Sequence, residues 1–252
     1  MKVRIQFSKH GVMKFIGHLD IMRYFQKAMR RAGVDIAYTG GFSPHQIMSF
    51  AAPLGVGLES DGEYMDIEVN SHQGGDQMME ALNGVMADGV RILSVRALPE
   101  QAKNAMASVA AAGYLVRFRK GYEPDFDYVS ALSDFYKKEE IPFVKKTKKS
   151  ELTLDLKPAI YELSIEGDAI HMLVDASSAG NIKPAMVMEA FYCDNGRTLP
   201  EFALEITRTD TYMEAPGNGM EVSEIGKDKA GGADETTARR RFVPLREAGE
   251  PF

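Results

Sequence analysis

The chain has 252 residues, 44% hydrophobic and 26% charged, with 30 Lys and Arg against 36 Asp and Glu for a net charge of −6. That length exceeds one typical domain of roughly 100–150 residues and falls short of three, and the composition is that of a folding chain, not a disordered one. No stretch approaches the roughly 20 apolar residues that span a bilayer, and the single cysteine, Cys193, excludes internal disulfides and cysteine-based zinc or iron–sulfur sites, so a cytoplasmic protein with no membrane partner is expected.

Charge is spread unevenly. Residues 1–50 hold eight basic side chains (Lys2, Arg4, Lys9, Lys14, Arg23, Lys27, Arg30, Arg31) against Asp20 and Asp35, a local net of +6, while the remainder carries −12. One basic face on an acidic molecule suits local phosphate binding.

The opening strand alternates Val3, Ile5 and Phe7 on one face with Lys2, Arg4 and Gln6 on the other. A helix follows over 18–32, its apolar arc of Ile21, Met22, Phe25, Ala28, Met29 and Ala32 set against Arg23, Lys27, Arg30 and Arg31, with Gly33 as its stop. The glycine- and proline-punctuated loop 38–45 leads to a strand at 46–51; a strand at 62–69, a helix at about 76–86 and a strand at 91–97 follow. The order βαββαβ is the ferredoxin-like plan, with helices over one sheet face and the other left available.

Residues 99–113 read as a linker or joining helix. A strand at 114–119, a helix at 127–138, strands within 151–156 and 161–174 about a Glu166-Gly167-Asp168 turn, a helix starting near Pro184 and a strand at 202–212 form a second, less regular copy. The expected fold is therefore α+β: two tandem ferredoxin-like domains, 1–98 and 114–213, the second elaborated. Residues 214–252 have few apolar side chains and read as a disordered tail dispensable for folding, ending in an Arg239-Arg240-Arg241 run. Cys193 lies in an apolar helix-like run, where a buried, inert thiol is expected.

Three features carry candidate chemistry. His18 and Asp20 open the basic helix, where Asp20 favours the macrodipole and His18 sits at about the N-cap; as a general base, His18 could act on a ribose hydroxyl. The run Gly40-Gly41-Phe42-Ser43-Pro44-His45 combines close backbone approach, donors on Ser43 and His45 and a stacking face on Phe42, and matches neither the Walker nor the dinucleotide pattern. The stripe Arg23, Lys27, Arg30 and Arg31, extended by Arg4, offers phosphate contacts. The lysines at 145–149 read as a hairpin tip. His10, His72 and His171 lack ligand spacing, so no metal is expected.

The run Phe15-Ile16-Gly17-His18-Leu19-Asp20, the helix end Arg30-Arg31-Ala32-Gly33, the loop Gly40–His45, Gly62-Glu63-Tyr64-Met65-Asp66 and Leu154-Asp155-Leu156-Lys157-Pro158 resemble the bacterial radical-SAM-linked proteins over most of residues 1–213. That family more often has Ser where Gly17 stands, so a hydroxyl cap does not carry over. The resemblance implies a radical-SAM enzyme as partner, carrying the iron–sulfur cluster and S-adenosylmethionine, with no cofactor on this chain. The two-domain plan also resembles, in topology, the CRISPR-repeat-processing endoribonucleases. Three functions follow: a non-catalytic accessory protein that presents RNA, transfer or ribosomal, to the partner; a metal-independent endoribonuclease using His18 or His45; or a scaffold without RNA contact. The RNA contacts expected are Arg4, Arg23, Lys27, Arg30, Arg31, Phe42, Ser43 and His45.

Overall fold

The computed structural model describes residues 1–146, 151–215 and 240–252. Along the chain run β1 (Lys2–Lys9), α1 (His18–Arg31), β2 (Met48–Phe50), β3 (Glu59–Glu68), α2 (Gly75–Asn83), β4 (Val90–Ala97), α3 (Ala105–Ser108), β5 (Ala111–Phe118), α4 (Tyr128–Tyr136), β6 (Pro142–Lys146), β7 (Glu151–Asp155), β8 (Ile160–Glu166), β9 (Ala169–Asp175), α5 (Pro184–Asp194), β10 (Leu204–Glu214) and β11 (Phe242–Pro244). Short 3-10 turns occupy Gly11–Phe15, Lys157–Ala159 and Leu245–Ala248. This is a mixed α+β fold built on a mostly antiparallel sheet. No described helix is long and apolar enough to cross a membrane.

Nine strands form one sheet with the path β4-β1-β3-β10-β5-β9-β8, β2 pairing β3 and β11 pairing β10; β6 and β7 form a separate hairpin. The first half thus has the order β4-β1-β3-β2 and the second β10-β5-β9-β8. Strand β10 joins them, antiparallel to β5 and parallel to β3 through Thr207↔Glu59 and Arg208↔Ser60. The approach is close enough at Gly62 that a Cβ there would sit 2.2 Å from the Asp210 Cα, so this position excludes a side chain.

Local signals explain the elements. The α1 arc buries Ile21, Phe25, Ala28 and Met29, and Ile21, Phe25 and Met29 cluster with Val3, Ile5, Phe7, Met65 and Ile67 of β1 and β3. Gly33 ends the helix at φ +69°, and the Val34 N–H reaches back to the Met29 carbonyl at 3.0 Å, the bond that closes a left-handed cap. Pro184 takes the first turn of α5, which buries Val187, Met188 and Phe191 under β5, β8 and β9.

Three expectations need correction. Strand β1 is not half-exposed: from Val3 to Lys9 every residue is buried, because β1 is central and its polar face is covered as well. Residues 99–113, read as a linker or joining helix, hold the short helix α3 and the start of β5, and the buried Ala105 donates its N–H to Asp66 at 2.6 Å. Residues 240–252 are ordered by ring contacts of Phe242 with Tyr161 and of Phe252 with His72, by a buried leucine and by polar bonds, none of which composition reveals. Strand β11 pairs β10, Leu245 is fully buried with Ala51, Tyr64 and Ala105, Arg246 reaches Asp210 at 2.8 Å, and Glu250 exchanges backbone bonds with Ala97. Residues 216–239, the rest of the expected tail, lie outside the described residues, as do residues 147–150 of the lysine hairpin. Finally, Cys193 is exposed, on the outer face of α5.

Candidate functional site

The segment between α1 and β2 folds into a hairpin. Tyr38 and Gln46 bridge, the Thr39 N–H donates to the His45 carbonyl at 2.9 Å, and the Thr39 hydroxyl takes the His45 N–H at 3.1 Å. The Gly40–Pro44 tip that these bonds close is exposed throughout, Gly41 adopts φ +97°, and the Phe42 ring is fully exposed with Ser43 beside it. His45 Nδ1 lies 3.0 Å from the Thr39 hydroxyl, which orients the ring.

The hairpin is tied to α1. Gln46 Nε2 donates to the Gln26 carbonyl at 3.3 Å, and Arg30 Nε donates to the same oxygen at 3.2 Å. Arg23, Lys27, Arg30 and Arg31 are all exposed on the α1 face away from the core. Among the described residues Arg23 pairs with the exposed Asp20 at 3.3 Å, an interaction worth well under 1 kcal/mol in water, and Arg31 donates to the Val85 carbonyl at 3.1 Å. The base of the hairpin is thereby tied to the helix that carries the stripe.

Arg4 does not. It is 1% exposed, paired with Asp66 through Nε and Nη2 at 2.8 and 2.9 Å, and it donates further to the carbonyls of Leu245 and Lys103. Its place on the central strand makes it an internal tie, which removes it from the expected RNA contacts. Lys9 is likewise buried, bonded to the Ile16 carbonyl at 2.7 Å; desolvation lowers its pKa, partly offset by the Glu63 charge. Lys14 is held by Glu59 at 3.2 Å. The N-terminal charge excess thus reaches solvent mainly through α1.

His18 is the first helical residue, not the cap: Gly17 takes that position with extended backbone. The His18 ring meets Phe50 edge-on at 5.4 Å and lines a narrow cleft with Lys9 and Glu63. His45 instead lines a cavity of about 210 Å³. The two histidines do not share a cavity, so no acid–base pair is assembled from them.

That larger cavity is the clearest concave feature near the hairpin. Thr39, His45, Ser49, Lys2, Glu68 and Asn104 provide polar groups, and Ile47, Met48, Leu98 and Ala102 provide apolar walls. Asp66 also lines it but is occupied by Arg4 and the Ala105 N–H. Sequence reasoning found His45 and missed Lys2, Ser49, Glu68 and Asn104. Lys2, Ser49 and Glu68 come from separate segments joined by strand register, Lys2↔Glu68 and Ser49↔Asp66, Asn104 comes from the N-cap of α3, and no linear motif marks them. Among the described residues no three His, Cys, Asp or Glu converge as metal ligands.

Residues 2–184 match the model of a family described as an uncharacterized protein conserved in bacteria (DUF2344). No curated protein matches the chain. Among solved structures the chain is similar to one in the crystal structure of a Cbf5-Nop10-Gar1 complex, with TM-score 0.44 and 11% identity over 83% of this chain and 48% of that one. The chain spans about half the length of that solved chain.

Proposed function

We propose a function from the premise that the chain belongs to the conserved bacterial family DUF2344: it is a non-catalytic accessory protein that binds RNA along α1 and the 39–45 hairpin and presents it to a radical-SAM enzyme. The observation that carries this reading is the Gln26 carbonyl, which accepts from both Arg30 and Gln46 and so ties α1, with its four exposed basic side chains, to the base of the hairpin whose tip bears a fully exposed aromatic ring. Cations spaced along a helix neutralise phosphates, and an exposed ring stacks on an unpaired base; together they suit single-stranded RNA better than either does alone. The strand orders β4-β1-β3-β2 and β10-β5-β9-β8 support reading the scaffold as two tandem ferredoxin-like units, the second elaborated by the β6–β7 hairpin.

The radical-SAM partner rests on the sequence resemblance. In this reading the partner holds the cluster and S-adenosylmethionine, since Cys193 alone cannot supply the several thiolates a cluster needs. Exposed Val12 and Phe15 on the first 3-10 turn, with Val56 brought near by the Gly57 N–H bond to the Lys14 carbonyl, support an apolar contact for that partner.

The test is Arg23→Glu/Lys27→Glu/Arg30→Glu. These side chains lie opposite the buried arc, so the fold survives, while RNA affinity drops by at least tenfold and its dependence on salt becomes shallower by about one unit of slope per lost phosphate contact. A folded triple variant that binds cellular RNA as well as the parent at every salt concentration would leave a protein scaffold as the function.

A further inference from the structure

We propose that the cavity beneath the 39–45 hairpin receives an unpaired guanine base of the bound RNA, read by Lys2 and Glu68. The inference rests on the RNA reading above and adds the base that the site selects. Its volume of about 210 Å³ falls below the roughly 300–1,000 Å³ of sites for drug-sized ligands, so it holds one planar heterocycle and leaves sugar and phosphate outside. Ile47, Leu98 and Ala102 give the apolar walls that a base face needs. His45, with Nδ1 engaged by Thr39, stands at the opening on the same hairpin as Phe42.

The polar edge decides which base. Lys2 and Glu68 are direct partners in the β1–β3 ladder and both line the cavity, yet they form no ion pair with each other or with another described residue. An ammonium and a carboxylate side by side present three donors next to an acceptor-only group. Guanine's pairing edge is their complement: O6 accepts from the ammonium, while N1–H and N2–H both donate to the carboxylate. Adenine and cytosine each turn a ring-nitrogen lone pair where guanine has N1–H, and uracil sets a carbonyl where guanine has the amino group. Each of those places an acceptor against Glu68, and an acceptor facing the acceptor-only carboxylate is repelled where guanine's two donors are bonded. The neighbouring carboxylate of Asp66 does not compete, because Arg4 and the Ala105 N–H occupy it.

The experiment titrates the full chain with the 5′-monophosphates of guanosine, adenosine, cytidine and uridine, and with oligouridylate carrying or lacking one central guanosine. Guanosine monophosphate should bind at least about tenfold more tightly than the others, and the central guanosine should raise oligonucleotide affinity by a similar factor. Glu68→Gln, which keeps shape but loses one acceptor for the paired donors, should remove both preferences and leave the salt slope on oligouridylate unchanged. Ala102→Leu, which fills the cavity from its apolar wall, should do the same. Equal binding of all four nucleotides, or a guanine preference that survives both variants, overturns the assignment, and retained stripe-dependent affinity for RNA would leave the RNA reading standing. Selective binding of the mononucleotide with no gain from guanosine in RNA overturns the RNA source and makes the cavity a free-nucleotide site.

Discussion

Replacing Arg4 by Met should destabilise the protein by about 3–5 kcal/mol, the cost of breaking a buried ion pair from one side. The side chain is 1% exposed and supplies Nε and Nη2 to Asp66, Nη1 to the Leu245 carbonyl and Nη2 to the Lys103 carbonyl. Methionine fills much of the same space, so the loss is electrostatic: the Asp66 carboxylate, whose side chain is 11% exposed, would keep the Ala105 N–H as its described partner. Measured against a total stability of about 5–15 kcal/mol, this is a large fraction, and at a urea slope of about 3 kcal/mol/M it lowers the midpoint by about 1–2 M. The double variant Arg4→Met/Asp66→Leu removes the stranded charge and should recover part of the loss, the remainder being about 1 kcal/mol each for the Ala105 N–H and the Leu245 and Lys103 carbonyls that lose their partner. A single variant within 1 kcal/mol of the parent, or a double variant no better than the single, would refute the reasoning. Because one bond goes to Leu245, proteolysis of residues 240–252 should also quicken in the single variant.

Gly62→Ala should cost several kcal/mol in urea unfolding, because the new methyl would lie 2.2 Å from the Asp210 Cα and neither strand can yield without opening the β3–β10 junction; a loss under 1 kcal/mol would contradict that close approach. His10 meets Glu59 through Nδ1 at 3.1 Å and Asp61 through Nε2 at 2.8 Å, so as an imidazolium it donates to both. Burial alone would lower its pKa, but the two carboxylates raise it above the ordinary 6.5, so its stabilisation is complete below that value and is lost as pH rises through the folded pKa. The melting difference between the parent and His10→Gln should therefore shrink as pH rises above 6.5, and parallel curves would refute it. Cys193, being exposed, should react stoichiometrically with a disulfide reagent in the native state, and Cys193→Ser should alter stability by less than about 0.5 kcal/mol.

Local pattern was enough to place most of the regular elements. The 3.6-residue arc of α1, the left-handed stop at Gly33, the Pro184 start and the Gly167 turn are written in neighbouring residues, whose preferences act within a few positions of the chain. The exposed stripe of α1 and the hairpin of Phe42 and His45 were legible for the same reason. The fate of Arg4 was not. An outward-alternating arginine reads as solvated until a central strand position, α3 and residues 240–252 cover that face, and those partners lie 62, 99 and 241 residues away. Leu245 shows the same limit: a tail poor in apolar residues is held by one buried leucine, the rings of Phe242 and Phe252, an ion pair and backbone bonds to distant strands. The pairing of Lys2 with Glu68 at the cavity edge is likewise a matter of strand register, which fixes distance between residues that the sequence keeps apart. Chain-local chemistry chose the helices, turns and exposed cations, and long-range hydrogen bonding decided which charges became structure and which remained exposed.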